Sequence, residues 1–552
     1  MWEKLLVLSL ITGDRWNGYK TQISQIPHDL SRPSGQTPWS HGVIQPRVQQ
    51  VGPERFGIVA VDCAKARSKW MLCDFYGKVL IPPTIVEHHR AGLQLATVTL
   101  KEACRRHGLR DHIVAVEMTG TYHKPVQRAF QRAGSETRLV HPFASKHYRL
   151  PAHADSKTDD HDLEAIFRAA VNGFGLLEPT WDETYLRLQL VARHRRDLVQ
   201  KRSKLQCQIR QYLERCMPGY AALFPDDDLW TCPVAMAVAR RAGSAEAIRQ
   251  AGVPGVTQWL DEQKLRFQAR TVERIVAWAG NAAEADPLRT RLHRLWQSLH
   301  DDWLTKTTEI TRLEQELAEI LVKTPYVLLL SHPGIHVVSA GELAGEMGPI
   351  ECYAHAKAIT GRAGLFPSRY QSDEVDRADG PLARFRNARL RAAWLRIADN
   401  LLMCNAHYRG KFQLWKQDGI DARDIRCRVA NRATRTVFQM VSGRRLYHHP
   451  SRLDRQYVLE KLLKFHQDHG TPPHEILRDL QEAARQIPPA EQIAEATPLK
   501  QAYQRIRRGR RKGPQPLGTI LVAVLARLGV TGLESESKAP SPDANLSDAS
   551  SG

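Results

Sequence analysis

The chain has 552 residues, with 79 Lys and Arg against 59 Asp and Glu and a formal net charge of +20. That length exceeds what one hydrophobic core organises, so about three to four units are expected; the charge excludes a basic partner and favours a polyanion, because neutralising phosphates releases condensed counterions. Nine cysteines without a CxxC pair or a Cys/His cluster at zinc spacing exclude a zinc module and leave reduced, mostly buried thiols as the expectation.

Residues 1–53 are rich in Pro, Gly, Ser, Gln and His without sustained periodicity, and read as a loose N-terminal extension. LLVLSLI after Lys4 is short for a signal core and is followed by GDRWNGYK rather than a small-residue cleavage site. No apolar run reaches the length of a membrane span, so the expected address is the cytoplasm with its nucleic acids. From Phe56, FGIVAVD is a continuous β-branched run suited to a central strand covered on both faces. KWMLCDFYGKVLIPPTIV predicts two strands with a turn near Tyr76-Gly77-Lys78. A helix over about 91–107, the strand HIVAVE, a helix after Thr121, the strand TRLV and a helix containing KTDDHDLEAI follow. Three strands and then alternating helices and strands make residues 54–178 an α/β domain.

Residues 179–325 read as a helical arm with a mixed insert at about 217–285. Its first helix, about 184–216, has Val191, Leu198, Leu205 and Tyr212 seven apart, with Arg195, Arg196, Lys201 and Arg202 among the cations between them. Its second keeps a coiled-coil alternation through Leu292, Leu295, Leu299, Trp303, Ile310, Leu313, Leu317 and Ile320. The two predict an antiparallel hairpin or a dimer contact, and the cations are either a solvated face or a nucleic-acid contact. Residues 326–446 are helical in pattern throughout. Residues 447–552 form a C-terminal extension with the basic run QAYQRIRRGRRKGP and a Ser-rich acidic tail expected to be disordered.

The acids carry the chemistry. Asp159, Asp162, Leu163, Ile166, Phe167 and Ala170 share one helical face, so two carboxylates lead an inward stripe. Asp62 ends the first apolar strand and Glu117 ends HIVAVE. Carboxylates at the edge of a core cost several kcal/mol of desolvation unless a cation answers them. No basic residue stands out beside them on those strands, which makes a divalent metal the expected counterion, and Mg²⁺ suits a few carboxylates plus substrate phosphate. Taken singly, Asp162 equally fits a first-turn residue at a helix dipole, Asp62 a turn former and Glu117 a cap.

VAVDCAK (59–65), VEMTGTY (116–122) and KTDDHDLEAI resemble the acid blocks of the DEDD transposases of bacterial insertion sequences, the family numbered one-ten. SHPGIHVVSAGELAGEMG (331–348) and AITGRAGLFPSRYQSDEVDRADGPLARFRNARLRAAWLRIA are similar to that family's C-terminal transposase domain. The resemblance covers about residues 56–446. It implies a RuvC-like, ribonuclease-H-type α/β domain, a coiled-coil arm and a mainly α-helical C-terminal domain. It further implies a Mg²⁺ site of Asp62, Glu117, Asp159 and Asp162, a serine nucleophile at Ser372 with Ser368 as local rival, DNA as substrate, a bridge RNA that guides it, and assembly as a dimer or larger oligomer. Asp373 replaces the family's usual Gly after the serine, and His336 replaces the second Gly of PGIG. Gly334 in the Pro-Gly turn fits either phosphate binding or a plain turn. Arg369, Arg384, Arg386, Arg389, Arg391 and Arg396, with Arg423, Arg426, Arg428, Arg432 and Arg435 further on, offer guanidiniums to phosphates. The alternatives are a RuvC-like nuclease acting through water, an inactive nucleic-acid-binding relic, and an actin-like ATPase, whose phosphate loop Cys63-Ala64-Lys65 fits poorly.

Overall fold

The computed structural model describes residues 44–149, 158–178, 181–225, 228–372, 375–377, 380–383, 386–447, 454–488 and 517–530. The basic run 501–514, the acidic tail and most of the N-terminal extension lie outside them. Contacts divide the chain into two units, Met1–Tyr185 with Glu346–Arg445 and Leu186–Gly345 with Leu446–Gly552.

The first unit opens with α1 (Gln45–Val51), β1 (Phe56–Cys63), β2 (Arg67–Asp74), β3 (Val79–Glu87), α2 (Arg90–Arg106), β4 (Asp111–Glu117), α3 (His123–Arg132), β5 (Glu136–Val140), α4 (Pro142–Tyr148), α5 (Asp159–Val171) and β6 (Gly175–Leu176). The strands form one sheet in the order β3-β2-β1-β4-β5-β6. β1 pairs antiparallel with β2 and parallel with β4, and β4 pairs parallel with β5. The central strands read as unbroken apolar runs because both faces are covered. Val59, Val61 and Cys63 pack with Ala96 and Leu100 of α2 and Phe130 of α3. Ile58 and Ala60 pack on the opposite face with Leu163, Ile166 and Ala169 of α5. This mixed sheet with helices on both faces is consistent with the RuvC-like expectation. The start of the ordered fold differs from expectation, since Ile44 and Val48 are buried in the second layer and Arg47 forks onto Asp111 at 2.6 and 2.7 Å. Residues 44–53 therefore form part of the sheet's cover; only two apolar anchors are needed, too few to register as periodicity.

The helical region continues with α6 (Glu183–Cys216), α7 (Asp228–Thr231), α8 (Pro233–Ala242), α9 (Ala245–Glu262), α10 (Ala269–Asn281), α11 (Arg289–Leu321) and α12 (Val337–Met347). Within the second unit α6 and α11 run antiparallel, because Arg187, His194 and Arg215 reach Glu316, Glu309 and Asp286 in reversed order. The buried stripe of α11 departs from the expected seam: Trp296 and His300 are buried, while Leu295 is 47% exposed. The cause is the insert, whose Val238, Ala239 and Ile275 join Trp296 and Trp303 in one core, so the stripe follows a helix packed on a small domain rather than a two-stranded seam.

The chain returns to the first unit through α13 (Ala356–Ala363), the hairpin β7 (Tyr370–Ser372) and β8 (Val375–Arg377), α14 (Ala388–Cys404), α15 (Ala406–Gln417) and α16 (Ala422–Ser442). The hairpin departs from the all-helical expectation; strands of three residues are too short to show an alternation. The second unit ends with α17 (Asp454–Asp468), α18 (Pro473–Gln486) and α19 (Leu517–Arg527). Among the described residues no helix is long and apolar enough to cross a membrane.

Candidate active site

Strand alternation and register place the first two acids together. β1 and β4 run parallel with Ala60 beside Ala115 and Val61 beside Val116. One step further along, Asp62 and Glu117 continue the face that carries Ile58, Ala60, Ile113 and Ala115. Their proximity has an electrostatic signature: burial pushes the Cys63 thiol up to about 12, and the charges of Asp62 and Glu117 both add to the rise, against a hydrogen bond with Ser68. Glu117 accepts hydrogen bonds from Ser145 Oγ on α4 and, at 3.3 Å, from Thr119 Oγ1.

The helix that faces these strand ends starts where the sequence marks a start. Thr158 caps α5 by accepting from His161 N at 3.3 Å, and Asp159, Asp160 and Asp162 fill its first turn, where the helix dipole favours anions. Asp162 is buried, but Asp159 is exposed, so the inward stripe begins at Asp162 rather than at the pair. Two cations also correct the expectation that no basic residue stands near the acids. Lys69 lies directly opposite Asp62 in the β1–β2 register and reaches Asp160 at 2.6 Å. That pair fixes the start of α5 beside the end of β1. Arg149, in the link after α4, approaches Asp162 Oδ1 with Nη2 at 2.5 Å and Nε at 2.8 Å. Both side chains are under a fifth exposed, at 17% and 9%, so the pair is a partly desolvated one whose members depend on each other.

The donors are hard carboxylate oxygens on adjacent strand ends and a facing helix, which fits a hard divalent cation in kind. In the present arrangement Arg149 answers Asp162, and among the described residues no group of three or more ligating side chains is set to hold a metal.

The serine-bearing hairpin is placed by its backbone: Ser372 pairs with Val375 across the turn. Ser368 sits at the hairpin's base, donating its N–H to Pro381 and accepting from Gly380 N. A Cβ at Gly380 would come within 2.7 Å of the Ser368 carbonyl oxygen, so glycine is needed there. Arg391 ties this base to α13 by donating to the carbonyls of Ala363 and Ala383. Arg386 lies 5.5 Å over Phe366, Arg389 is exposed on α14, Arg369 is exposed, and Arg384 lies outside the described residues.

In the second unit, Gly334 takes a positive φ of 97° in the turn before α12. The turn offers carbonyls rather than amides to its neighbour, since Lys461 Nζ donates to Leu330 at 2.9 Å and Ile335 at 2.8 Å. On α6, Arg195 bridges Glu314 at 2.5 Å and Glu342 at 3.1 Å. Burial would push Glu314 up, but the hydrogen bond from His469 and the charge of Arg195 hold it below its ordinary value. Arg202 is half-buried and lowered by desolvation, Lys201 is exposed, and Arg196 is engaged within the fold.

A mixed sheet with carboxylates at the ends of two central parallel strands and a third on the covering helix is consistent with a RuvC-like domain. Two family models match the chain: that of the DEDD transposases of IS110 over residues 59–218, and that of the transposase IS116/IS110/IS902 family over residues 326–413. The first match spans Asp62, Glu117, Asp159 and Asp162, and the second spans Ser372. The chain is thus similar to IS110-family transposases in two separate segments, which supports a transposase function and, with it, action on DNA. No curated protein matches the chain.

Proposed function

We propose that the chain is an insertion-sequence transposase that cuts and rejoins DNA through a serine nucleophile beside an acidic site. The observation that supports it most is the placement of Asp62 and Glu117 side by side on one sheet face, with α5 pinned against them by Lys69–Asp160. In this reading Asp62, Glu117, Asp159 and Asp162 hold Mg²⁺, which when bound supplies charge stabilisation at the scissile phosphate. Ser372 Oγ attacks phosphorus, the strand's bridging oxygen leaves with a proton, and a phosphoserine link keeps the bond energy for rejoining. A strand-end hydroxyl then displaces the serine. A bridge RNA guiding target choice, assembly of two or more copies and residence in the cytoplasm near the nucleoid complete the reading. Arg369, Arg384, Arg386, Arg389, Lys201 and the Gly334 turn are its proposed nucleic-acid contacts.

The test is to incubate the purified chain with Mg²⁺, labelled element-end DNA and the RNA encoded beside it, and to look for a protein–DNA adduct stable to denaturation. The adduct is expected to vanish in Ser372→Ala and separately in Asp159→Ala. Strand cleavage that persists undiminished in Ser372→Ala points instead to hydrolysis by water.

A further inference from the structure

A concentration of positive charge lies on α15, α16 and the residues that follow them. Residues 406–445 carry ten Arg and Lys against three Asp. Arg426 is ion-paired with Asp399, whereas Arg428, Arg432 and Arg435 make no ion pair among the described residues. These three fall at i, i+4 and i+7, on the face of α16 opposite its buried Ile425, Val429, Val437 and Met440. Arg428, Arg432 and Arg435 are all exposed, and Arg432 lies over the ring of Trp415, 5.1 Å from the centroid. Lys411 of α15 lies 5.8 Å from the same centroid.

A tryptophan ring attracts a cation through its quadrupole, so Arg432 is oriented by the ring without being neutralised by it. Such a group is pre-ordered for an anion from outside the chain. Arg428 and Arg435 stand about 10.5 Å apart along the helix axis, roughly three 3.4 Å steps of a nucleic-acid strand. Trp415 and all of α16 lie beyond the residues matched by the family models. We propose that the face formed by Trp415, Arg428, Arg432 and Arg435 is a contact for the sugar-phosphate backbone of a nucleic-acid strand, read by charge and not by base sequence. This site rests on the reading that the chain works on nucleic acid.

The experiment measures binding of the full chain to a labelled duplex DNA and to a labelled structured RNA over a series of salt concentrations. The double variant Arg428→Gln/Arg435→Gln is expected to bind about tenfold more weakly and to reduce the slope of log K against log salt by about 2, equally for unrelated sequences. The single variant Arg435→Gln should lower the slope by about 1 at unchanged unfolding temperature. Trp415→Ala should weaken binding where Trp415→Phe, which keeps a ring, retains most of it. A loss confined to DNA or to RNA assigns the contact to that strand. Unchanged affinity and slope in the double variant, with the native chain binding well, overturns the contact and leaves the proposed function standing. Asp62→Asn that binds normally and still cleaves overturns the acidic site and leaves the contact. A native chain that binds neither nucleic acid overturns both.

Discussion

α6 and α16 are both arginine-rich helices with a buried apolar stripe, and in sequence they invite the same interpretation. In the structure they differ in what faces their cations. On α6, Arg187, Arg195 and Arg215 reach Glu316, Glu314 with Glu342, and Asp286. On α16 only Arg426 has a carboxylate partner among the described residues. A count of positive charge along a helix therefore says little about nucleic-acid contact until the opposing elements are known: α11 supplies acids to α6, and among the described residues only Asp399 answers an arginine of α16.

The comparison can be broken at its most buried point. Arg195→Gln leaves Glu314 and Glu342 without their shared counter-ion, with all three side chains at most 15% exposed, and should cost about 3–5 kcal/mol of stability. Chemical denaturation reads that loss. Salt-dependent nucleic-acid binding by the same variant should keep its native slope; a shallower slope means that Arg195 meets phosphate after all. Arg149→Gln is the equivalent change at the candidate active site, expected to cost about 3 kcal/mol in the absence of divalent ions because Asp162 is left buried and charged. Added Mg²⁺ should restore part of the unfolding temperature, and the absence of any restoration counts against a cation near Asp162.

A titration sharpens the description of the second unit. His300 accepts from Arg240 at 2.8 Å and stacks on Trp303, and burial, then the charge of Arg240, holds it down to about 4 against Asp301. Its folded pKa lies below its ordinary 6.5, so the unfolded chain takes up the proton first as pH falls. Its contribution to stability is complete above pH 6.5 and is lost between 6.5 and 4. Unfolding temperature should fall through that window, and less steeply in His300→Gln. The smallest effect belongs to Arg215→Gln: its ion pair with Asp286 is 48% exposed on the arginine side, so solvent screens it and the unfolding temperature should be almost unchanged.

Much of the first unit was legible because its signals are local. β1 to β5 are dense apolar runs, and α5 begins with a cap and three acids, so their limits follow from composition and period. Asp62 and Glu117 stand out because each interrupts an apolar strand at its end. What escaped depends on register and irregular backbone. Lys69 faces Asp62 only once the β1–β2 pairing is fixed, since a slip of one residue turns it to the other side. Arg149 sits in a link with no periodicity, and Ser145 lies on a short helix that gives no hint of its reach to Glu117. Trp296 replaced Leu295 in the core of α11 because the insert covers a different side of that helix from the one a seam would use. Ser372 could be named from resemblance alone; the hairpin that carries it is too short to announce itself.

The most direct measurement is Mg²⁺-dependent cleavage of labelled element-end DNA by the native chain, by Asp62→Asn and by Glu117→Gln, with DNA binding followed in parallel. Cleavage should fall by about a thousandfold in both variants while binding is kept, in line with the loss expected when charge stabilisation at a reacting phosphate is removed. Native rates in either variant at native binding would contradict an active site built on the ends of β1 and β4.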